Sequence, residues 1–143
     1  MLTQRSRYAL RAMLYLAEAP AAPGPTPMHR IADAATVPRK FLELILLDLR
    51  DAGLVVSTRG KMGGYRLARA TRLISLGEII RVIEGPLALV PCVSRTAYRP
   101  CADCRSEADC AIRHAMMRVR DETARILDGT SLADATARDL AAA

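Results

Sequence analysis

Residues 38–67 read PRKFLELILLDLRDAGLVVSTRGKMGGYRL, and the order of residue types in this stretch decides the fold. Phe41, Leu42, Ile45, Leu46 and Leu49 recur at i, i+3, i+4 spacing, which predicts a helix from Pro38 to Ala52 with these side chains as its core face. Pro38 suits the first turn, where its missing N–H would have no helical partner. Gly53 is placed to end the helix as a left-handed cap. Two short strand-like runs follow, Leu54 to Thr58 and Tyr65 to Ala68, joined by Arg59-Gly60-Lys61-Met62-Gly63-Gly64. A helix followed by a basic, glycine-rich hairpin is the pattern of a winged helix-turn-helix. Such a helix fits a DNA major groove, and Arg59 and Lys61 on the hairpin can reach the neighbouring backbone or minor groove. Arg39, Lys40 and Glu43 fall at the N-terminal end of the helix, where a helix-turn-helix places side chains that reach base edges. Gly63 and Gly64 are expected to let the wing approach a phosphate backbone closely.

Upstream, Thr3 is expected to cap a first helix running to about Ala19, with Ala9, Ala12, Met13 and Leu16 on one face. Pro20 to Pro27 reads as a linker, Met28 to Ala35 as a short second helix, and Thr36-Val37-Pro38 as the turn. Downstream, Ser75 is expected to cap a fourth helix through Ile83, with Leu76, Ile79, Ile80 and Ile83 packing on the reader and Gly85-Pro86 ending it. A long helix follows from about Ala108 to Asp128. Its residues Ile112, Met116, Val119, Thr123 and Ile126 alternate steps of four and three, the spacing of a seam against another helix. Few other elements remain to fill that seam, so self-pairing into a homodimer is expected. The tail from Ser131 is read as a short terminal helix or a frayed end. The domain plan is therefore residues 1–86 as a winged helix-turn-helix DNA-binding domain, 87–108 as a cysteine-bearing cofactor loop, and 109–143 as dimerisation helix and tail. The fold class is mainly α with a small β wing.

Composition supports this division. The 143 residues include one Phe, four Tyr and no Trp, with hydrophobic residues at 51%. An aliphatic core of that kind suits packed helices better than a β-sandwich. The formal charge of +6 is uneven: residues 1–72 carry 12 cations and 5 anions, and residues 73–143 carry 9 and 10. A first half at +7 points to a polyanion partner, double-stranded DNA, with Arg5, Arg7 and Arg11 adding phosphate contacts. Arg11 interrupts the apolar run after the first arginines, leaving Ala12 to Ala17, short for a signal peptide. No segment approaches a membrane span, so a cytoplasmic protein without membrane contact is expected. With two histidines, His29 and His114, no nucleophile, base and acid can be assembled, and an enzyme is not expected.

Cys92, Cys101, Cys104 and Cys110 fall within 19 residues. Thiols clustered in a polar segment of a cytosolic protein read as metal or redox ligands. Four sulfurs can close a structural zinc site, with His114 as a substitute ligand; three or four can equally hold an iron–sulfur cluster. Spacing alone leaves zinc, a cluster and a thiol redox switch open, with a small redox protein as a remote alternative.

The chain resembles the Rrf family of winged-helix transcription regulators. The matching residues are Leu2-Thr3 and Arg7 to Ala12 in the first helix, and Phe41-Leu42-Glu43 with Leu49-Arg50 and Ala52 to Val55 in the reader. The wing contributes Arg59-Gly60 and Gly63-Gly64-Tyr65 with Leu67, and Ile83 to Pro86 and Thr130 to Asp134 flank the cysteines and long helix. The resemblance implies a homodimeric regulator acting on a palindromic operator, with an iron–sulfur cluster in the cysteine loop altering DNA binding in response to iron or cluster status, redox state or nitric oxide. Cys92, Cys104 and Cys110 match the three-cysteine pattern of cluster-binding members. The gap between Cys92 and Cys104 is longer than usual, and Cys101 is an addition. The nitric oxide sensors use a first-helix aspartate where this chain has Arg7, so His114 or Cys101 is left to complete the ligand set. Glu43 and Arg59 match operator-contacting positions, while Arg39 and Lys40 are more basic than is usual.

Overall fold

The computed structural model describes residues 2–19 and 24–142, with side chains up to residue 137. Pro20 to Pro23 of the anticipated linker lie outside the described residues. The first helix, α1 (Gln4–Glu18), starts where the Thr3 side chain accepts the Ser6 N–H, a cap worth about 1 kcal/mol. Ala9, Ala12, Met13 and Leu16 form its buried face. The second, α2 (Met28–Ala35), buries Ile31, Ala32 and Ala35 and ends at Thr36 in the left-handed region, φ +54°. Thr36 is the non-glycine residue with positive φ among those described, and its turn redirects the chain into α3 (Arg39–Asp51).

Leu42, Ile45, Leu46 and Leu49 of α3 are fully buried. Phe41 is not core: it is 56% exposed and lies against Tyr8 of α1 with ring centroids 6.2 Å apart. At about 100° per residue, Phe41 falls outside the arc that its four buried neighbours share. Pro38 stands at the N-cap, one position before the expected first turn. Gly53 follows the helix with φ +76°, as its placement predicted.

Strands β1 (Val55–Thr58) and β2 (Gly64–Leu67) pair antiparallel, with Val55 opposite Leu67 and Thr58 opposite Gly64. The end of the linker joins them: Thr26 and Tyr65 exchange backbone hydrogen bonds of 2.8 Å in each direction. After a 3-10 turn at Thr71–Leu73, Ser75 caps α4 (Leu76–Glu84) by accepting the Glu78 N–H at 3.1 Å. Ile79 and Ile80 are buried, while Leu76 and Ile83 are partly buried against the core.

The long α5 (Ala111–Asp128) contains no buried residue. Ile112, Val119 and Ile126 on its expected seam are exposed. The chain then turns back: Leu76 N–H donates to Thr130 O and Leu132 N–H to Ile74 O, both at 2.9 Å. These bonds seat α6 (Leu132–Ala142) against α1, with Leu132 fully buried in the same core as Met13 and Leu46. The tail is thus part of the reading head's packing. No helix among the described residues is long and apolar enough to cross a membrane.

A candidate DNA interface and cysteine pocket

The reading face is built from ends of elements, where side chains are free of core duty. Arg39, Lys40 and Glu43 on the first turns of α3 are exposed, as are Arg59 and Lys61 at the hairpin tip. Among the described residues, none of these four cations makes an ion pair within 4.0 Å. Other cations of the first half are engaged: Arg5 pairs with Asp48 of α3, Arg7 hydrogen-bonds Gln4, and Arg69 pairs with Glu78 at 2.5 Å. Arg5 and Arg7 are thus held by neighbours, while Arg39 and Lys40 on α3 and Arg59 and Lys61 on the wing stay exposed and unpaired among the described residues, as do Arg11, Arg30 and Arg72 elsewhere in the first half.

Gly63 and Gly64 are required by the hairpin itself. A Cβ on Gly63 would stand 2.3 Å from the Thr58 carbonyl oxygen, and one on Gly64 2.2 Å from that of Thr26. The space expected to admit a phosphate backbone is already filled, at these two positions, by the protein's own chain.

The cysteine segment runs between α4 and α5. Cys92 sits on a 3-10 turn, Pro91–Val93, and is buried. Arg120 of α5 pins that turn by donating from Nη1 to the Val93 carbonyl at 2.6 Å. Asp121, held below the usual carboxylate range chiefly by its hydrogen bonds from Arg120, also takes Arg95 at 3.0 Å. Beyond Ser94 the chain is irregular to Cys110. It is stapled by Tyr98, which donates to Glu107, a bond that raises the phenol's pKa, and by Glu107 pairing with Arg113 at 3.5 Å. Cys110 is the N-cap of α5, its sulfur accepting the Arg113 N–H at 3.4 Å.

All four cysteines line one open pocket of about 380 Å³, together with Arg105 and Arg113. Cys104 is exposed, and Cys101 and Cys110 are half-buried. His114 is exposed one turn into α5 and is not among the lining residues. Among the described residues, no three His, Cys, Asp or Glu side chains stand close enough together to hold a single metal ion. The donor chemistry nonetheless suits an iron–sulfur cluster: several thiols face one space, with Arg105 and Arg113 on its wall balanced by Asp103 and Asp109. Arg113 Nε adds to this, being buried without a hydrogen bond and 3.5 Å from its ion-pair partner.

Two further linkages had no signature in the sequence. Glu84, at the end of α4, accepts the Thr3 N–H at 2.8 Å and the Ser6 hydroxyl at 2.5 Å. These bonds, Ser6 first, hold its carboxyl below the usual range. Arg81 of α4 grips Asp128 of α5 through two hydrogen bonds, 2.6 and 2.9 Å. Their partners lie tens of residues away, which local pattern reading does not reach.

The family model for Rrf2, described as iron-dependent transcriptional regulator, matches residues 2–138. The chain belongs to the Rrf2 family. An rrf2-like HTH-type transcriptional regulator of Rhodobacter capsulatus is 45% identical over 136 residues, 94% of this chain and 91% of its own. CymR of Bacillus subtilis, described as the global cysteine regulator, has a structure that superposes with a TM-score of 0.77 at 34% identity, covering 96% of this chain and 97% of that one. IscR of T. potens follows at TM-score 0.75 and 29% identity, covering 97% and 88%. Like its Rrf2 relatives, the chain is a DNA-binding transcription regulator and not an enzyme.

Proposed function

We propose that the protein acts in the cytoplasm as a homodimer on a palindromic DNA operator, and that an iron–sulfur cluster held in the cysteine loop sets its operator affinity. The observation that carries this reading is the convergence of Cys92, Cys101, Cys104 and Cys110 on one pocket between the cysteine loop and the start of the long helix. Cys92, Cys104 and Cys110 are the ligands, with Cys101 or His114 completing the set. When bound, the group supplies thiolate-held iron that responds to redox change or nitric oxide.

The protein's part is to make that occupancy mechanical. Arg120 holds the Cys92 turn on α5, Cys110 heads the same helix, and Arg81–Asp128 ties α5 to α4. A loop drawn together by its sulfurs therefore pulls on both the reader and the dimer helix. In this scheme residues 1–86 read DNA, 87–108 sense, and the long helix of 109–143 pairs the subunits while its tail packs back on the head. Arg39, Lys40 and Glu43 meet base edges, and Arg59 and Lys61 meet phosphates, with Gly63 and Gly64 shaping the wing. Half-sites one helical turn apart require the two reading helices about 34 Å apart, so a small change in that spacing alters affinity. A coupling of ~1 to 3 kcal/mol changes it about 5- to 150-fold.

The test is to measure operator affinity of anaerobically purified protein before and after its metal is stripped, alongside iron, sulfide and zinc analysis and a visible spectrum. A coloured protein whose affinity shifts on stripping is expected. Equal affinity in both states would sink the sensor, and a colourless protein with one zinc per subunit would replace the cluster with a structural ion. Cys104→Ala and Cys110→Ala are each expected to abolish the visible absorbance; full absorbance in either would remove that residue from the ligand set.

A further inference from the structure

Besides the α5 seam, large hydrophobic side chains stand in the open on the reader and the wing, at Phe41, Leu44 and Met62. Phe41 is accounted for by Tyr8, against which its ring rests. Leu44 is not: it is 59% exposed and takes no part in the core cluster. A single exposed leucine carries little information by itself. Its address on the helix carries more. At about 100° per residue, the arc opposite the buried Leu42, Ile45, Leu46 and Leu49 is centred between Lys40 and Leu44. Leu44 follows Glu43 directly and stands one turn beyond Lys40, and all three are exposed. It therefore sits in the middle of the surface that a major groove would cover, among side chains that carry charge.

We infer that Leu44 reads a thymine in each half-site by packing against its C5-methyl group, and so fixes a base pair that the charged residues of α3 do not. This deepens the proposed function and rests on its placement of α3 in the groove. A leucine side chain has neither donor nor acceptor, so it gains nothing from the polar edges by which guanine, adenine and cytosine present themselves there. Pressed on those atoms it would strip their water and return no hydrogen bond. The thymine methyl is the hydrocarbon that the major groove displays, and covering it removes apolar area of both partners from water. Arg39 and Lys40 supply the attraction that docks the helix, and Leu44 supplies the discrimination. Losing a contact the size of one methyl weakens binding about 4-fold, and about 15-fold when both half-sites lose it.

The test uses the full-length protein, purified anaerobically. Its operator is selected from random duplex DNA, and each thymine of the half-sites is then replaced in turn by deoxyuridine, which removes the methyl and keeps every hydrogen-bonding atom. Fluorescence anisotropy measures the affinities. At one thymine in each half-site, deoxyuridine is expected to weaken wild-type binding about 4-fold, while Leu44→Ala binds the thymine and deoxyuridine duplexes equally. Phe41→Ala is expected to keep the wild-type discrimination, and circular dichroism to show Leu44→Ala folded like its parent, because the side chain lies outside the core. A wild-type protein indifferent to deoxyuridine at every position overturns the inference, as does discrimination that survives Leu44→Ala. Selections repeated with Arg39→Ala and Lys40→Ala separate the two levels of failure. If either shifts the preferred bases and Leu44→Ala shifts none, α3 remains the reader and the methyl contact alone falls. If none of the three shifts them, the placement of α3 in the groove falls with it.

Discussion

Arg59 and Asp128 show how differently one charged residue can act. Arg59 is exposed at the hairpin tip and has no ion-pair partner within the described chain, so its charge is available to a phosphate. Arg59→Ala is expected to weaken operator binding and to lower the salt slope by about one, with subunit pairing and visible absorbance unchanged. Fluorescence anisotropy over a salt series measures it, and unchanged affinity at moderate salt removes the wing from the interface. Asp128 spends its charge inside the molecule. The Arg81 guanidinium holds its carboxyl below the usual range. A depressed acid contributes stability that is complete above its unfolded pKa and is lost as pH falls through the folded one. Asp128→Asn is therefore expected to cost at most about 1 kcal/mol at neutral pH, since the pair is partly exposed and screened. The difference from wild type should shrink below roughly pH 4, as chemical denaturation at a series of pH values would show. A difference that persists undiminished in acid would mean that packing, and not charge, is what Asp128 supplies.

At the scale of an element, the wing is held by its glycines from within. Gly64 lets β2 pass beside residues 24–27, where the Thr26 carbonyl would otherwise collide with a Cβ 2.2 Å away. Gly64→Ala is expected to break the Thr26–Tyr65 pairing and displace the hairpin, weakening operator binding at least as much as Arg59→Ala. Tyr65 only borders the helical core, partly buried against it, so helix content by circular dichroism should be preserved. Hydrogen exchange at the Thr26 and Tyr65 amides reads the local effect, and slow exchange retained in the variant would refute it. Sequence reading supplied the glycines but assigned their open side to DNA, because it does not see which distant strand comes alongside. Phe41 is a similar case: apolar type and approximate spacing placed it in the core, and only the angle of the packed arc left it outside against Tyr8.

For the whole molecule, α5 is the unresolved partner problem that the isolated chain presents: 18 residues of helix with no buried side chain and an apolar seam at Ile112, Val119 and Ile126 in the open. Seam spacing and exposure together support a second copy as its cover. Val119→Glu with Ile126→Glu is expected to give monomers by light scattering, with a folded reading head and operator affinity lowered by loss of the second half-site. A dimer that survives both charges would move the interface elsewhere.

The sequence alone determined the local units, because periodicity, caps and turn residues act within a few positions. The limits of α2 are as predicted, Thr3 and Ser75 cap as expected, and the wing and four clustered thiols are legible without coordinates. Tertiary structure alone decided what lies beside what. It brought four thiols to one pocket that His114 does not line, gave Glu84 to the start of α1, and locked α6 into the head through Leu132. Those pairings join residues far apart in the chain, 81 positions for Thr3 and Glu84 and more for α6 on α1, and they form only when burial of the shared core brings the elements together, a choice among whole-chain arrangements that no short stretch encodes.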